Sequence, residues 1–250
     1  CLSDEVGFSH NGQALRIVEL LERRYPDFPG LNLTREVLDG QRYRTEKGSA
    51  EPPAAVPLLE VQVVDAADSI AYDAHDADEA VHRGVVSLDE LSEIPLWREA
   101  VEFALHRYSR LSGEQLRRVA VHRLINLQVS DLLDSTRARL ASRRPASVAE
   151  ALQCGTLVAP SDRMAAHRRP LGQFLMDRVY RNPKLLAERD QAQRALSNLF
   201  RAYVAAPELL PAREPQAKDQ ASLPRTVADY IAGMTDRFAY QSHARVCSTT

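Results

Sequence analysis

The sequence predicts an all-α fold. Apolar residues recur at helical spacing through most of the 250 residues. No stretch beyond the brief candidates 61–64 and 156–158 alternates in the period-2 pattern of a half-buried strand. Proline and glycine gather at a few points that end helices.

Taken in order, Leu15, Ile17, Val18 and Leu21 set a first helix over about 9–24, which "YPDFPG" stops. Thr34 is placed to cap a short helix through Val37 and Leu38 that closes at Gly40. "TEKGSAEPPAAVP", 45–57, is a flexible loop, because its prolines, glycine and serine hold neither a ladder nor a core. A long helix is predicted over about 58–83, then further helices over about 96–110, 113–142, 147–153, 171–179, 183–205 and 224–243. A second flexible loop, "APELLPAREPQAKDQASLP", 206–224, separates the last two. Without internal repeats, the whole chain 1–250 is read as one helical domain.

Composition excludes more than it names. With 44% hydrophobic residues, 26% charged residues and a formal net charge of -2, the chain has no basic excess to coat a nucleic acid. Cys1, Cys154 and Cys247 show neither a disulfide framework nor zinc-ligand spacing, so a reducing cytoplasm is the expected location. No apolar run reaches the roughly 20 residues of a membrane span, and no signal-peptide pattern opens the chain. The first residue is Cys1, followed quickly by a helical pattern, and the sequence is read as starting partway through something longer.

The long helix carries the most distinctive pattern. In "VVDAADSIAYDAHD", 63–76, the residues Asp65, Asp68, Ser69, Tyr72 and Asp76 fall within a sector about 100° wide, while Ala67, Ile70, Ala74, Ala77 and Val81 lie on the other side. A solvated acidic face is the plain reading. Against it, no lysine or arginine lies between Pro57 and Arg83, so the carboxylates need a cation or donors opposite. A divalent metal, which takes hard oxygen ligands, would supply that charge. Tyr72, one turn from both Asp68 and Asp76, suits stacking on a sugar whose hydroxyl Asp76 accepts.

Asp68, Tyr72 and Asp76 within "DAADSIAYDAHDADEA" resemble the bacterial deoxyguanosine triphosphate triphosphohydrolase family of the HD-domain superfamily. "GFSHNGQALRIVELLERRYPDFPGLNLT", 7–34, and "RTVADYIAGMTDRFA", 225–239, resemble that family's other segments, in the same order. The resemblance implies a multi-helix HD-domain-like phosphohydrolase fold and metal-dependent hydrolysis of a deoxynucleoside triphosphate to deoxynucleoside and inorganic triphosphate, with Mg2+ or Mn2+ as the metal. By position it makes Asp68 a metal ligand, Tyr72 the residue packing on the deoxyribose, Asp76 the partner of its 3′-hydroxyl, and His10 a histidine that assists near the triphosphate. Arg117, Arg123 and Asn126 fall near family positions that face the nucleotide. Homo-oligomers belong to the same picture.

The chain also departs from the family. The first metal histidine and the His-Asp dyad lie upstream of the segment that starts here at Gly7, so the expectation is an N-terminally truncated, C-terminal portion that completes no catalytic centre by itself. His75-Asp76 belongs to the acidic helix and is not that dyad. After Gly40, "QRYRTEKGSAEPP" differs from the family's basic, histidine-containing continuation.

Other readings stay open beside these. His10 suits a helix cap or a surface position. Arg117, Arg118, His122 and Arg123 form a basic stripe that could pair with the acidic helix. "HRRP", 167–170, reads as a solvated turn. In the last helix, Val227, Tyr230, Ile231, Met234 and Phe238 read as core, with Gly233 permitting close approach. A non-catalytic module that binds nucleotide or a sister subunit is the alternative function, and weak binding of single-stranded nucleic acid a third.

Overall fold

A computed structural model describes residues 8–47, 56–211 and 222–247. The described residues form eleven α-helices and no strand; one isolated bridge joins Arg23 and Gly30. The all-α expectation holds. Contacts gather into two compact units, one spanning 51–185 and the other made of the segments 1–50 and 186–250.

In the unit 51–185, α3 (Leu59–His82) is followed by α4 (Leu88–Ser92), α5 (Pro95–Arg107), α6 (Gly113–Arg143), α7 (Val148–Gln153) and α8 (Asp162–Phe174), which continues as a π-helical turn, Leu175–Tyr180. Serine caps set most of these starts. Ser87 and Ser112 each form a reciprocal capping box, with Glu90 and Gln115, and Ser147 and Ser161 cap α7 and α8. The core packs Ala74, Ala77 and Ala80 of α3 on Leu96, Trp97 and Ala100 of α5, Ala120 and Leu124 of α6, and Leu171, Leu175 and Val179. Alanines on α3 let these helices come close, and each fully buried leucine contributes about 1.5–3 kcal/mol.

The other unit holds α1 (His10–Arg16), which runs into a π-helical turn, Ile17–Leu21, then α2 (Arg35–Lys47), most of α9 (Pro183–Ala205), α10 (Leu223–Ala232) and α11 (Asp236–Cys247). Leu199, Tyr203, Val227 and Ala239 form its core, with Tyr230, Ile231 and Met234 packed on it. At its polar centre, the buried Asp229 carboxylate accepts from Gln13 Nε2 at 3.0 Å and Arg16 Nε at 2.9 Å, while Arg225 Nη2 donates to Gln13 Oε1 at 2.7 Å.

Several elements differ from expectation. Residues 61–64 lie in α3, since Val63 and Val64 face outward and only Gln62 is buried. Residues 156–158 form an extended connection whose Leu157 and Val158 N–H groups donate to Gln62 Oε1 at 2.9 and 3.0 Å, leaving no need for a partner strand. Ala67 is exposed; the buried stripe of α3 runs through Ile70, Ala74, Ala77 and Ala80. The second helix continues past Gly40 to Lys47. "HRRP" is not a solvated turn: α8 starts at Asp162 and continues through Pro170, held by buried Met164 and Leu171 on either side. The 224–243 stretch is two helices. Gly233 caps the end of α10, where an added Cβ would meet only ordinary contacts, and Thr235 Oγ1 accepts from Phe238 N to open α11. Phe238 is exposed. Most of both loops, 48–55 and 212–221, lies outside the described residues.

Candidate active site

Acidic side chains of α3, on the acidic face and beyond it, meet donors that are far away in sequence. Arg117 of α6 donates from Nη1 to Asp78 Oδ1 at 2.6 Å and to the Asp78 carbonyl at 3.1 Å. Arg168 of α8 donates to Asp73 Oδ2 from Nη2 at 2.7 Å and from Nε at 3.2 Å, and also to Ser69 Oγ at 2.8 Å. The Tyr180 hydroxyl donates to Asp76 Oδ2 at 2.5 Å. The missing countercharge of the helix is thus supplied in part by the protein itself.

Tyr180 does a second thing. Its ring lies 5.9 Å, centroid to centroid, from that of Tyr72, tilted by 38°. Tyr72 is 55% exposed, so the pair offers an aromatic ledge with the Asp76 carboxylate beside it. One Asp76 oxygen is held by Tyr180, yet a carboxylate has about four lone-pair sites and keeps capacity for a ligand hydroxyl. Burial, reinforced by the bond to Asp76, pushes the Tyr180 hydroxyl well above the ordinary phenol range, so it stays a donor across the physiological range.

Asp68 is exposed one turn before Tyr72. Among the described residues no group of three or more His, Cys, Asp or Glu side chains is placed to hold a metal ion, so these residues by themselves do not fit a divalent metal site. His10 is the exposed first residue of α1, capped by Ser9, and belongs to the other unit.

The α6 residues separate into two places. Arg123 and Asn126 line a cavity of about 350 Å³ together with Phe103, Tyr108, Arg118, Val119 and His122. Six residues along a helix is a turn of about 120° from Arg117 to Arg123, and nine residues places Asn126 on the opposite side. The structure does not bring Arg117 together with Arg123 and Asn126. The basic stripe also divides: only Arg117 pairs with α3, whereas Arg118 pairs with Glu114 of its own helix and Arg123 stacks on Phe103.

Known proteins decide the family. A model of the phosphohydrolase-associated domain matches residues 158–245. The deoxyguanosinetriphosphate triphosphohydrolase-like protein of Thiobacillus denitrificans is 35% identical over 255 residues, covering 98% of this chain and 68% of the relative. The chain belongs to the deoxyguanosinetriphosphate triphosphohydrolase-like family. Two further members, from Deinococcus deserti and Deinococcus radiodurans, are 39% and 41% identical, covering 98% and 95% of this chain. The chain spans 63% of each of these two, slightly less than two thirds.

The sequence alone does not reveal Tyr180 and Arg168 as parts of this face. "HRRP" holds the signal for Arg168, but its proline suggests a turn. Nothing local marks Tyr180, which reaches Asp76 only because the π-helical turn ends beside α3.

Proposed function

We propose that the Tyr72–Asp76 face of α3 is the deoxyribose end of a site for a deoxynucleoside triphosphate, in a protein that releases deoxynucleoside and inorganic triphosphate. The observation that carries this reading is the ledge of Tyr72 and Tyr180 beside a carboxylate held by the Tyr180 hydroxyl. A sugar stacks on an aromatic face while a fixed carboxylate accepts its hydroxyl. Family membership supports phosphohydrolase chemistry, and the names of the relatives support dGTP. In this reading Tyr72 packs on the deoxyribose and Asp76 accepts the 3′-hydroxyl, while Tyr180 fixes Asp76. Asp68 would give one carboxylate to a Mg2+ or Mn2+ that these residues alone do not hold, and His10 would assist at the triphosphate. Arg117, Arg123 and Asn126 of α6 face the nucleotide in this reading, Arg117 from its place beside Asp78 and the other two from the cavity they line. The reading takes the protein as a cytoplasmic homo-oligomer, with weak binding of single-stranded nucleic acid. No helix among the described residues is long and apolar enough to cross a membrane.

The test pairs binding with turnover. Affinity of the chain for dGTP is measured by calorimetry, and release of deoxyguanosine and triphosphate with added magnesium or manganese by chromatography, for the wild type, Tyr72→Ala, Asp76→Asn and Asp68→Ala. Loss of dGTP affinity in Tyr72→Ala and Asp76→Asn supports the sugar site. A gain in dGTP affinity on adding magnesium or manganese that is present in the wild type and lost in Asp68→Ala supports its metal role. Binding that ignores both α3 substitutions overturns the reading.

A further inference from the structure

We propose that Arg168 is a positioning residue for the sugar site, a role that rests on the reading of Tyr72 and Asp76 above, and that the π-helical turn after α8 lets it act together with Tyr180. Arg168 and Tyr180 stand on one continuous helical rod, α8 and the turn Leu175–Tyr180, and both reach α3. The Arg168 guanidinium donates to Asp73 Oδ2 through Nε and Nη2, and through Nη2 to the Ser69 carbonyl at 3.2 Å and Ser69 Oγ at 2.8 Å. It ties one turn of α3. Tyr180 holds Asp76 and packs on Tyr72, so the exposed ring of Tyr72 sits between the two grips. Arg168 acts through α3 and not on the ligand.

Helical angles show why the turn matters. On an unbroken α-helix, the step from Arg168 to Tyr180 ends about 120° beyond three full turns, which would aim the two side chains apart. The π-helical turn removes most of that offset. Its hydrogen bonds close over one residue more, as from Arg181 N to Met176 O at 3.2 Å, so the rod loses about one residue of rotation and the two positions come within about 20° of each other. Burial records the same slip. Continued as an α-helix, the stripe of Met164, Leu171 and Leu175 would bury Arg178 and turn Tyr180 to solvent, whereas Val179 is buried, Tyr180 half-buried and Arg178 exposed. A site held within tenths of an ångström needs its neighbours locked, and two grips from one rod fix both the height and the rotation of the Tyr72–Asp76 turn.

Calorimetric titration with dGTP compares the wild type with Arg168→Gln, Arg168→Lys, Ser69→Ala and Gly84→Ala, alongside Tyr72→Ala and Asp76→Asn. Affinity is expected to fall about fivefold or more in Arg168→Gln and about twofold in Ser69→Ala, with Arg168→Lys between Arg168→Gln and the wild type because an ammonium lacks the fork. Gly84→Ala strains the turn after α3 without touching this face, and wild-type affinity is expected of it. Ser69 is exposed, so its variant keeps the test valid if Arg168→Gln fails to fold. Unchanged affinity in the Arg168 and Ser69 variants, with Tyr72→Ala and Asp76→Asn weakened, overturns the positioning role and leaves the sugar site standing. Full affinity in Arg168→Lys overturns it in favour of charge alone, and an equal loss in Gly84→Ala in favour of general destabilisation. No dGTP binding by the wild type, or binding that ignores Tyr72→Ala and Asp76→Asn, overturns the sugar site and the positioning role together.

Discussion

The Tyr180 hydroxyl donates to the Asp76 carboxylate across 104 residues of chain, and the same tyrosine ring packs on Tyr72, one turn earlier on α3. One side chain therefore holds both members of the proposed sugar site. Tyr180→Phe keeps the ring and removes the hydroxyl. The expected result is a loss of about 1–2 kcal/mol in denaturant unfolding and a several-fold weaker dGTP affinity, with the aromatic ledge intact. The pH dependence has a definite sign. Because the folded-state pKa of Tyr180 is raised, its contribution is fully present below the unfolded phenol value near 10 and is lost as pH rises beyond that value toward the folded one. Wild-type stability should therefore fall more steeply above about pH 10 than that of Tyr180→Phe. Parallel curves from urea melts at about pH 8 to 11 would contradict the assignment.

Arg168 and Asp73 are each 17% exposed, and the guanidinium reaches Ser69 as well. Substitution by alanine leaves the Asp73 carboxylate without its partner in a partly dry place, a loss of about 1–3 kcal/mol after allowing for residual solvent. Arg168→Lys should recover only a part, since an ammonium cannot span Asp73 and Ser69 in the forked geometry. Urea midpoints of the two variants check the ranking; equal stability of Arg168→Ala and the wild type would show the clamp to be idle.

How much of this is legible in the sequence depends on how local the cause is. The long acidic helix agrees with its expected span to within one residue at each end, because its apolar stripe is periodic and its countercharges play no part in setting the period. Pro170 misleads because the rule that stops a helix at proline is overridden by Leu171, Leu175 and Val179 packing below it. Gly233 suggests close packing, whereas the break it marks comes from the Thr235 cap after it. The face holding Tyr72 and Asp76 can be read from spacing, but Tyr180 cannot, because only the tertiary path of the π-helical turn brings it there. The split between Arg117 and Arg123 follows from helical angles alone once α6 is known to run unbroken from Gly113 to Arg143.

Gly30 and Gly84 make a controlled pair. Both have positive φ, +67° and +64°. A Cβ on Gly30 would collide with the backbone carbonyls of Glu19 and Val18, where Leu31 N already donates to Val18 O at 2.8 Å, whereas a Cβ on Gly84 meets nothing. Gly84→Ala should cost only the backbone term of about 1 kcal/mol. Gly30→Ala adds a clash that flexible side chains cannot relieve, and a loss of about 3 kcal/mol or more is expected. Thermal melts of the two variants separate the effects. Equal shifts would mean that the turn after Leu21 relaxes freely.

Asp229 has the most demanding surroundings among the described carboxylates. Its side chain is fully buried, Arg16 approaches it at 2.8 Å and Arg225 at 3.4 Å, and Gln13 donates to it as well. Removing the charge leaves two guanidinium groups facing each other around a neutral side chain, and removing the whole side chain also leaves the buried Gln13 amide without its acceptor. Asp229→Asn should therefore cost about 2–3 kcal/mol and Asp229→Ala about 3–5 kcal/mol, in that order. The loss should be local to the unit that contains α1 and α10, since Gln13, Arg16 and Arg225 all lie there. Amide exchange followed by mass spectrometry reads this directly. Faster exchange in His10–Arg16 and Leu223–Ala232, with α3 and α6 unchanged, is the expected pattern. Uniform acceleration through both units would instead tie the buried carboxylate to the stability of the whole chain.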